Sequence, residues 1–333
     1  MNASLPTAAA QHSKAQHEVT GPADHGQWQA ELSLRFEQNA RGTRLAHSHH
    51  KGPLYIQKPF YPEGDSLAHV YLLHPPGGIV SGDVLTINLD VGENAGLLCT
   101  TPGAARFYGA RQELLHKGSD KALSALQTQN QRFSVAEGAS LEWLPMETII
   151  YNLAQAQILT EINLAANSSY IGWEFSCLGL LGRGQAFTQG SFSQRTRVFR
   201  EAKPVLVDRL AMQDGNLDLL KSPAGLSSQR VMGTFFAVPS LQQLHSKTFS
   251  LDTLVEQCRE VLERMAESSV DGPDSAYQNS ADKVALTALP EYITARYLGD
   301  SANEGRALFT ALWQGLRPAL IERKSCSPRI WAK

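Results

Sequence analysis

Trp28-Gln29-Ala30-Glu31-Leu32-Ser33-Leu34-Arg35-Phe36 sets an apolar or small side chain at every second position and a polar one between. Successive side chains on a strand point to opposite faces, so this is the pattern of a half-buried strand. The alternation returns at Leu85-Thr86-Ile87-Asn88-Leu89-Asp90-Val91, bounded by Ser81-Gly82-Asp83 before it and Gly92-Glu93-Asn94 after it. Two such strands suggest a largely antiparallel architecture. Working outward, short apolar or alternating runs at 67–73, 96–101, 123–129, 140–144, 156–164, 170–178 and 195–199 are punctuated by Gly, Asn or Pro, which predicts layered sheets.

Helical periodicity is convincing only late. Leu251, Leu254, Val255, Cys258, Val261, Leu262 and Met265 fall at helical intervals behind Ser250 as N-cap, and a second helix runs from about Ser301 to Lys324, bent near Gly315 and Pro318. The expected fold is mainly β, with stacked β-sheet layers forming a spiral or β-helix-like body and a small flank of two C-terminal helices. Residues 1–26 hold hardly any large apolar group and read as a tail that cannot repay the entropy of ordering. Residues 27–333 read as one domain, with a β body over 27–240, helical elements at about 249–268 and 301–325, and a polar linker over 268–282.

The chain has 333 residues, 42% of them apolar, which is enough for a core without staples. Its 30 basic and 32 acidic side chains leave a formal charge of -2, so no overall field recruits a polyanion, and nucleic acid is an unfavoured partner. Cys99, Cys177, Cys258 and Cys326 stand singly, which suits free thiols in a reducing cytosol better than disulfides or a zinc site. With no apolar run near the roughly 20 residues a span needs and no secretory leader pattern, the expected location is cytoplasmic.

Common catalytic signatures are missing. The Gly77-Gly78-Ile79-Val80-Ser81-Gly82 string is followed by Asp83 where a P-loop places Lys, and Gly179-Leu180-Leu181-Gly182-Arg183-Gly184 lacks dinucleotide spacing. No G-x-S-x-G or H-E-x-x-H occurs. His69 and His74, five residues apart on a strand, would face opposite ways; His47, His49 and His50 form the densest imidazole cluster and could hold a divalent ion loosely, though a solvated loop explains them as well.

Several strings carry a resemblance. Pro53-Leu-Tyr-Ile-Gln-Lys-Pro-Phe-Tyr-Pro62 and Tyr71-Leu-Leu-His-Pro-Pro-Gly-Gly-Ile-Val-Ser-Gly-Asp-Val-Leu-Thr-Ile87 resemble the hallmark stretches of the UreD family. Thr101-Pro-Gly-Ala-Ala-Arg-Phe-Tyr108, Leu141-Glu-Trp-Leu-Pro-Met-Glu-Thr-Ile-Ile150 and Pro328-Arg-Ile-Trp331 are similar to further family motifs. Departures are Ser81 in place of a second Gly, Ala105 before Arg106, and a longer tail before Trp28. The resemblance implies a non-enzymatic urease accessory protein, a β-rich scaffold that works with UreF and the GTPase UreG on apo-urease and assists nickel insertion. It implies no tightly bound cofactor, with nickel held only in transit.

Delivery needs ligands that release their ion, and carboxylates with water do so more readily than imidazole or thiolate. Asp83, Glu147, Glu174 and Asp208 are acids in apolar neighbourhoods, and a polar passage through the β body is the function expected of them. The plainer reading has Asp83 capping a turn, Glu142 and Glu147 facing solvent, and Asp208 paired with Arg209 or another arginine. His74-Pro75-Pro76-Gly77-Gly78 would shape a strand end. Arg106, Phe107 and Tyr108 suit an interface or a core, and Phe309, Trp313 and Trp331 on the C-terminal helical flank are the candidates for docking UreF. Alternative functions are a stand-alone nickel-binding protein using the histidine cluster and a β-fold hydrolase using Glu142 and Glu147. Partner-facing apolar surface would make the isolated chain prone to aggregate.

Overall fold

The computed structural model describes residues 28–110, 125–213, 217–268 and 281–332. The tail expected over 1–26, the start of the run at 123–129 and all but the ends of the linker at 268–282 lie outside them. In chain order the strands are β1 (Gln29–Asn39), β2 (Gly42–Lys51), β3 (Tyr55–Ile56), β4 (Leu67–Leu73), β5 (Val84–Val91), β6 (Gly96–Thr100), β7 (Ala105–Phe107), β8 (Gln127–Val135) and β9 (Ser140–Leu144). There follow β10 (Thr148–Ile150), β11 (Gln155–Leu164), β12 (Ser169–Leu180), β13 (Gln185–Ala186), β14 (Ser191–Arg200), β15 (Lys203–Met212), β16 (Val231–Val238), β17 (Val284–Leu289) and β18 (Tyr292–Gly299). The helices are the short α1 (Asp218–Lys221) and α2 (Leu241–Leu244) and the long α3 (Leu251–Ser268) and α4 (Ala302–Leu320).

Two sheets form, one of seven strands in the order β15-β14-β11-β8-β5-β1-β2 and one of eleven whose main path is β17-β18-β16-β12-β9-β6-β4-β3. From β4 to β12 the chain coils between them, crossing to the smaller sheet for β5, β8 and β11 and returning each time to the larger one. Neighbours within a sheet therefore come from successive turns of the coil and run parallel: β5 beside β8, β8 beside β11, β4 beside β6, β6 beside β9. The antiparallel expectation fails here. Alternating polarity reports one dry face and one less dry; it carries no information about the direction of the neighbouring strand. Antiparallel pairs occur at β1–β2 and β14–β15 on the edges of the smaller sheet and through β12, β16, β18 and β17 in the larger one.

Inward side chains of the smaller sheet, among them Leu32, Leu34, Phe36, Ile87, Leu89 and Ile162, pack on Tyr170, Leu178, Phe236 and Val238 of the larger sheet. The opposite face of the larger sheet, with Ile171, Trp173, Phe175 and Phe235, packs on Val255, Cys258, Leu262, Phe309, Leu312 and Trp313 of the two long helices. The result is three layers: sheet, sheet, helices. Ser250 Oγ accepts from Thr253 N at 3.2 Å and Ser301 Oγ from Glu304 N at 3.2 Å, so both long helices start on side-chain caps. The second helix ends at Leu320, earlier than its polar continuation suggested, with Pro318 inside its last turn. The β17–β18 hairpin lies between the helices in sequence and extends the larger sheet, so strands are not confined to the first part of the chain. Among the described residues no helix is long and apolar enough to cross a membrane.

Candidate functional site: an acid-bearing cavity between the sheets

Midway along the smaller sheet the inward row turns polar. Gln131 of β8, Thr160 of β11 and Thr196 of β14 stand opposite one another, with Gln129, Ile158 and Gln194 in the adjacent row. Facing them from the larger sheet are Glu174 and Ser176 of β12 and Thr234 of β16. Thr160 Oγ1 lies 2.8 Å from Glu174 Oε1 and 3.2 Å from Gln131 Oε1, while Ser176 Oγ donates to Gln194 Oε1 at 2.9 Å. Polar groups inside a sandwich cost free energy unless partnered, yet among the described residues Glu174 Oε2 and Trp143 Nε1 have no hydrogen-bond partner of good geometry. Both residues line a cavity of about 250 Å³, together with Gln129, Gln131, His74 and Met146. A void with an unpartnered donor and acceptor on its wall is one that water or a hydrated ion can fill at low cost.

Burial pushes the Glu174 carboxyl up to about 7, with the Thr160 hydroxyl and the neighbouring Trp143 N–H opposing and the charge of Asp208 assisting. At neutral pH this group divides between its acid and its ion. Burial lowers the pKa of His74, against the pull of Asp83, which favours the neutral imidazole with a free lone pair.

The cavity opens through the larger sheet. β6 stops at Thr100 and resumes as β7 at Ala105; β9 stops at Leu144 and resumes as β10 at Thr148. Because Thr100 pairs with Leu144 and Ala105 with Thr148, the two interruptions lie side by side and leave a window. Thr101, Pro102, Gly103, Ala104, Pro145 and Met146 rim it. Prolines in both breaks lack the N–H a ladder needs. The His74–Gly78 stretch closes one side: Arg106 Nη1 donates to Gly77 O at 3.3 Å, and a Cβ on Gly78 would lie 2.1 Å from Tyr108 Cε2, so any larger residue there must displace the Tyr108 ring. Three separate stretches of sequence thus converge on one opening.

The four acids singled out in the sequence do not assemble. Glu174 is in the cavity, and Glu147 stands behind the rim with its carboxylate 3.3 Å from Arg306 Nη1. Asp83 caps the turn before β5, accepting from Trp28 N at 2.8 Å and Val80 N at 3.0 Å. Asp208 pairs with Arg296 at 3.0 Å rather than with Arg209. Glu142 does not face solvent. It is fully buried beneath α4, taking hydrogen bonds from Trp313 Nε1 at 2.6 Å and Arg317 Nε at 2.8 Å, and Glu147 lies outside its strand, so the two never form a facing acid pair. Phe309 and Trp313 have no exposed surface, because the apolar face of α4 is the face laid on the sheet. Trp331, half-buried, packs on Trp173 and Trp313 with its Nε1 3.1 Å from Thr100 Oγ1. Phe107 is buried while Arg106 and Tyr108 border the window.

His69 and His74 do separate. His69 lies on the helix side, 2.7 Å from Glu63, and His74 on the cavity. His47, His49 and His50 are exposed on the edge strand β2, and among the described residues no group of three or more His, Cys, Asp or Glu is placed to hold a metal. The polar rows at Gln129, Gln131, Thr160 and Gln194 were not anticipated; the alternation Gln127-x-Gln129-x-Gln131 running into Phe133-x-Val135 was the available signal.

Fold and site together define a class: a β-spiral protein built around an internal, acid-bearing cavity with a window in its wall. A family model described as UreD urease accessory protein matches residues 29–332, and the chain belongs to that family. It is 41% identical over 305 residues to the urease accessory protein UreD of Psychromonas ingrahamii, covering 92% of this chain and 94% of the relative. The corresponding protein of a Marinomonas species is 40% identical over 306 residues (92% of this chain, 90% of the relative), and that of Dechloromonas aromatica 38% over 314 (94% and 97%).

Proposed function

We propose that this chain is a non-enzymatic scaffold in urease maturation, acting in the cytoplasm with UreF and the GTPase UreG on apo-urease, and that its cavity lends nickel a passage. Family membership supports the urease role. The observation that carries the passage is Glu174, a carboxyl with an unpartnered oxygen in a water-sized void reached through a window. A divalent ion entering so poorly solvated a place needs a compensating negative charge, and Glu174 supplies it by giving up its proton as the ion arrives. Neutral His74 at the mouth offers one nitrogen ligand. One nitrogen and one carboxylate hold a first-row ion too weakly to keep it, which suits cargo.

The test is co-expression of the tagged chain with UreF, UreG and the urease subunits. Glu174→Gln keeps the shape and removes the charge; it should leave the complex intact on pull-down and lower urease activation several-fold. Full activation by both Glu174→Gln and Glu174→Ala would refute the passage, and urease that matures without the chain would refute the scaffold.

A further inference from the structure

Among the described residues no element covers the outer face of the smaller sheet, since both long helices pack on the larger one. Across it Arg132 of β8, Glu161 of β11, Arg197 of β14 and Val207 of β15 stand opposite one another, and the adjacent outward row is Asn130, Leu159, Arg195 and Arg209. Strands lie about 4.8 Å apart and alternate residues about 6.7 Å apart, so the four arginines occupy a single patch. Of the four, Arg197 is neutralised by a described residue: its Nη2 lies 2.5 Å from Glu161 Oε2, and its guanidinium sits 5.6 Å from the Phe199 ring centre. Arg132, Arg195 and Arg209 make no ion pair or side-chain hydrogen bond among the described residues. Between the rows is a recess of about 100 Å³ lined by Asn130, Arg132, Leu159, Glu161, Arg195 and Arg197. Val207, at the end of the first row, is 62% exposed, the highest value among the large exposed apolar residues.

We propose that this face docks an acidic segment of a partner protein, gripped by Arg132, Arg195 and Arg209. Four guanidiniums against one carboxylate, in a chain whose net charge is -2, make a local positive field of the chain's minority sign. Arginine mixed with half-buried Leu159 and exposed Val207 is the composition of a protein interface rather than of a merely solvated face. The guanidiniums are spread over three strands on both sides of the recess, so the patch presents several separated charges to an extended polyanion. Its described aromatic, Phe199, already has the Arg197 guanidinium over its ring, which favours carboxylates over stacked bases.

The probe is a fluorescein-labelled hexaglutamate peptide, titrated with the full chain and followed by fluorescence anisotropy at low and high salt. The expected result is salt-sensitive binding at least about tenfold weaker in the triple variant Arg132→Gln/Arg195→Gln/Arg209→Gln. A hexaglutamine peptide should not bind. Equal affinity in wild type and variant, or no binding to wild type at low salt, overturns the proposal, as does a single-stranded oligonucleotide that binds through these arginines while hexaglutamate does not. Should the triple variant misfold, Arg209→Gln alone on the edge strand serves, with about a twofold loss expected and no loss overturning the assignment.

Discussion

Glu174 carries a proton that its unfolded counterpart would already have lost. Its ordinary value of 4.5 rises to about 7 in the fold, so between those pH values the folded chain binds more protons than the unfolded one, and stability falls as pH rises. Above pH 7 the ionised form carries the full cost, up to about 3 kcal/mol. Glu174→Gln should therefore raise the urea midpoint at pH 8 and change it little at pH 5; equal effects at both would show that burial does not shift this group. Glu63 has the opposite sign. Burial alone would raise it, but hydrogen bonds from His69 and Arg317 outweigh that and hold it low, so its contribution is lost as pH falls through the folded value. Glu174 lay between aromatics in the sequence and was legible as a buried acid. Glu63, in Pro62-Glu63-Gly64, carries no local signal of its role, because its partner Arg317 is remote in the chain and only folding joins them.

The helix α4 is fixed to the sheet by more than its apolar stripe. Arg317, without exposed surface, donates from Nε to Glu142 Oε2 at 2.8 Å, from Nη1 to Glu63 Oε2 at 2.7 Å and from Nη2 to Glu63 Oε1 at 2.8 Å, and it also meets the carbonyl of Lys324. Removing the cation leaves two buried carboxylates with only His69 on Glu63 and the Trp313 N–H on Glu142 among the partners described above, so Arg317→Met should cost about 3–5 kcal/mol. Chemical denaturation reads this directly, and a loss under about 1 kcal/mol would mean that water reaches the pair. The helices themselves were legible from their 3.6-residue period. Their burial was not: a stripe of Leu, Phe and Trp has the same pattern whether it meets a sheet or a partner. Among strands, β1 and β5 showed clean alternation, whereas β16 reads Val231-Met-Gly-Thr-Phe-Phe-Ala-Val238 because both of its faces are covered, and β2 is too polar to register because it is an edge.

At the scale of the molecule, the spiral makes the window. Parallel neighbours from successive coils place the break after Thr100 beside the break after Leu144, so an interruption that would merely shorten one strand becomes an opening. Gly103 lies on that rim, where an added Cβ would meet no atom within 4 Å and the backbone is not left-handed, so a large residue is accommodated there without strain. Gly103→Trp should leave the thermal midpoint within about 2 °C, as expected of a surface change, while lowering urease activation in co-expression. Unaltered activation would move the route away from this opening. The sequence by itself determined which segments are amphipathic strands, where the long helices begin, that acids sit in apolar surroundings, and the family, because these rest on local periodicity, capping chemistry and contiguous motifs. Tertiary structure alone decided strand direction, the alignment of the two breaks, the pairing of Arg317 with Glu63 and Glu142, and which single acid faces the cavity. Each of those depends on residues brought together from distant turns of the coil, and local pattern records a side chain's polarity without recording its neighbour.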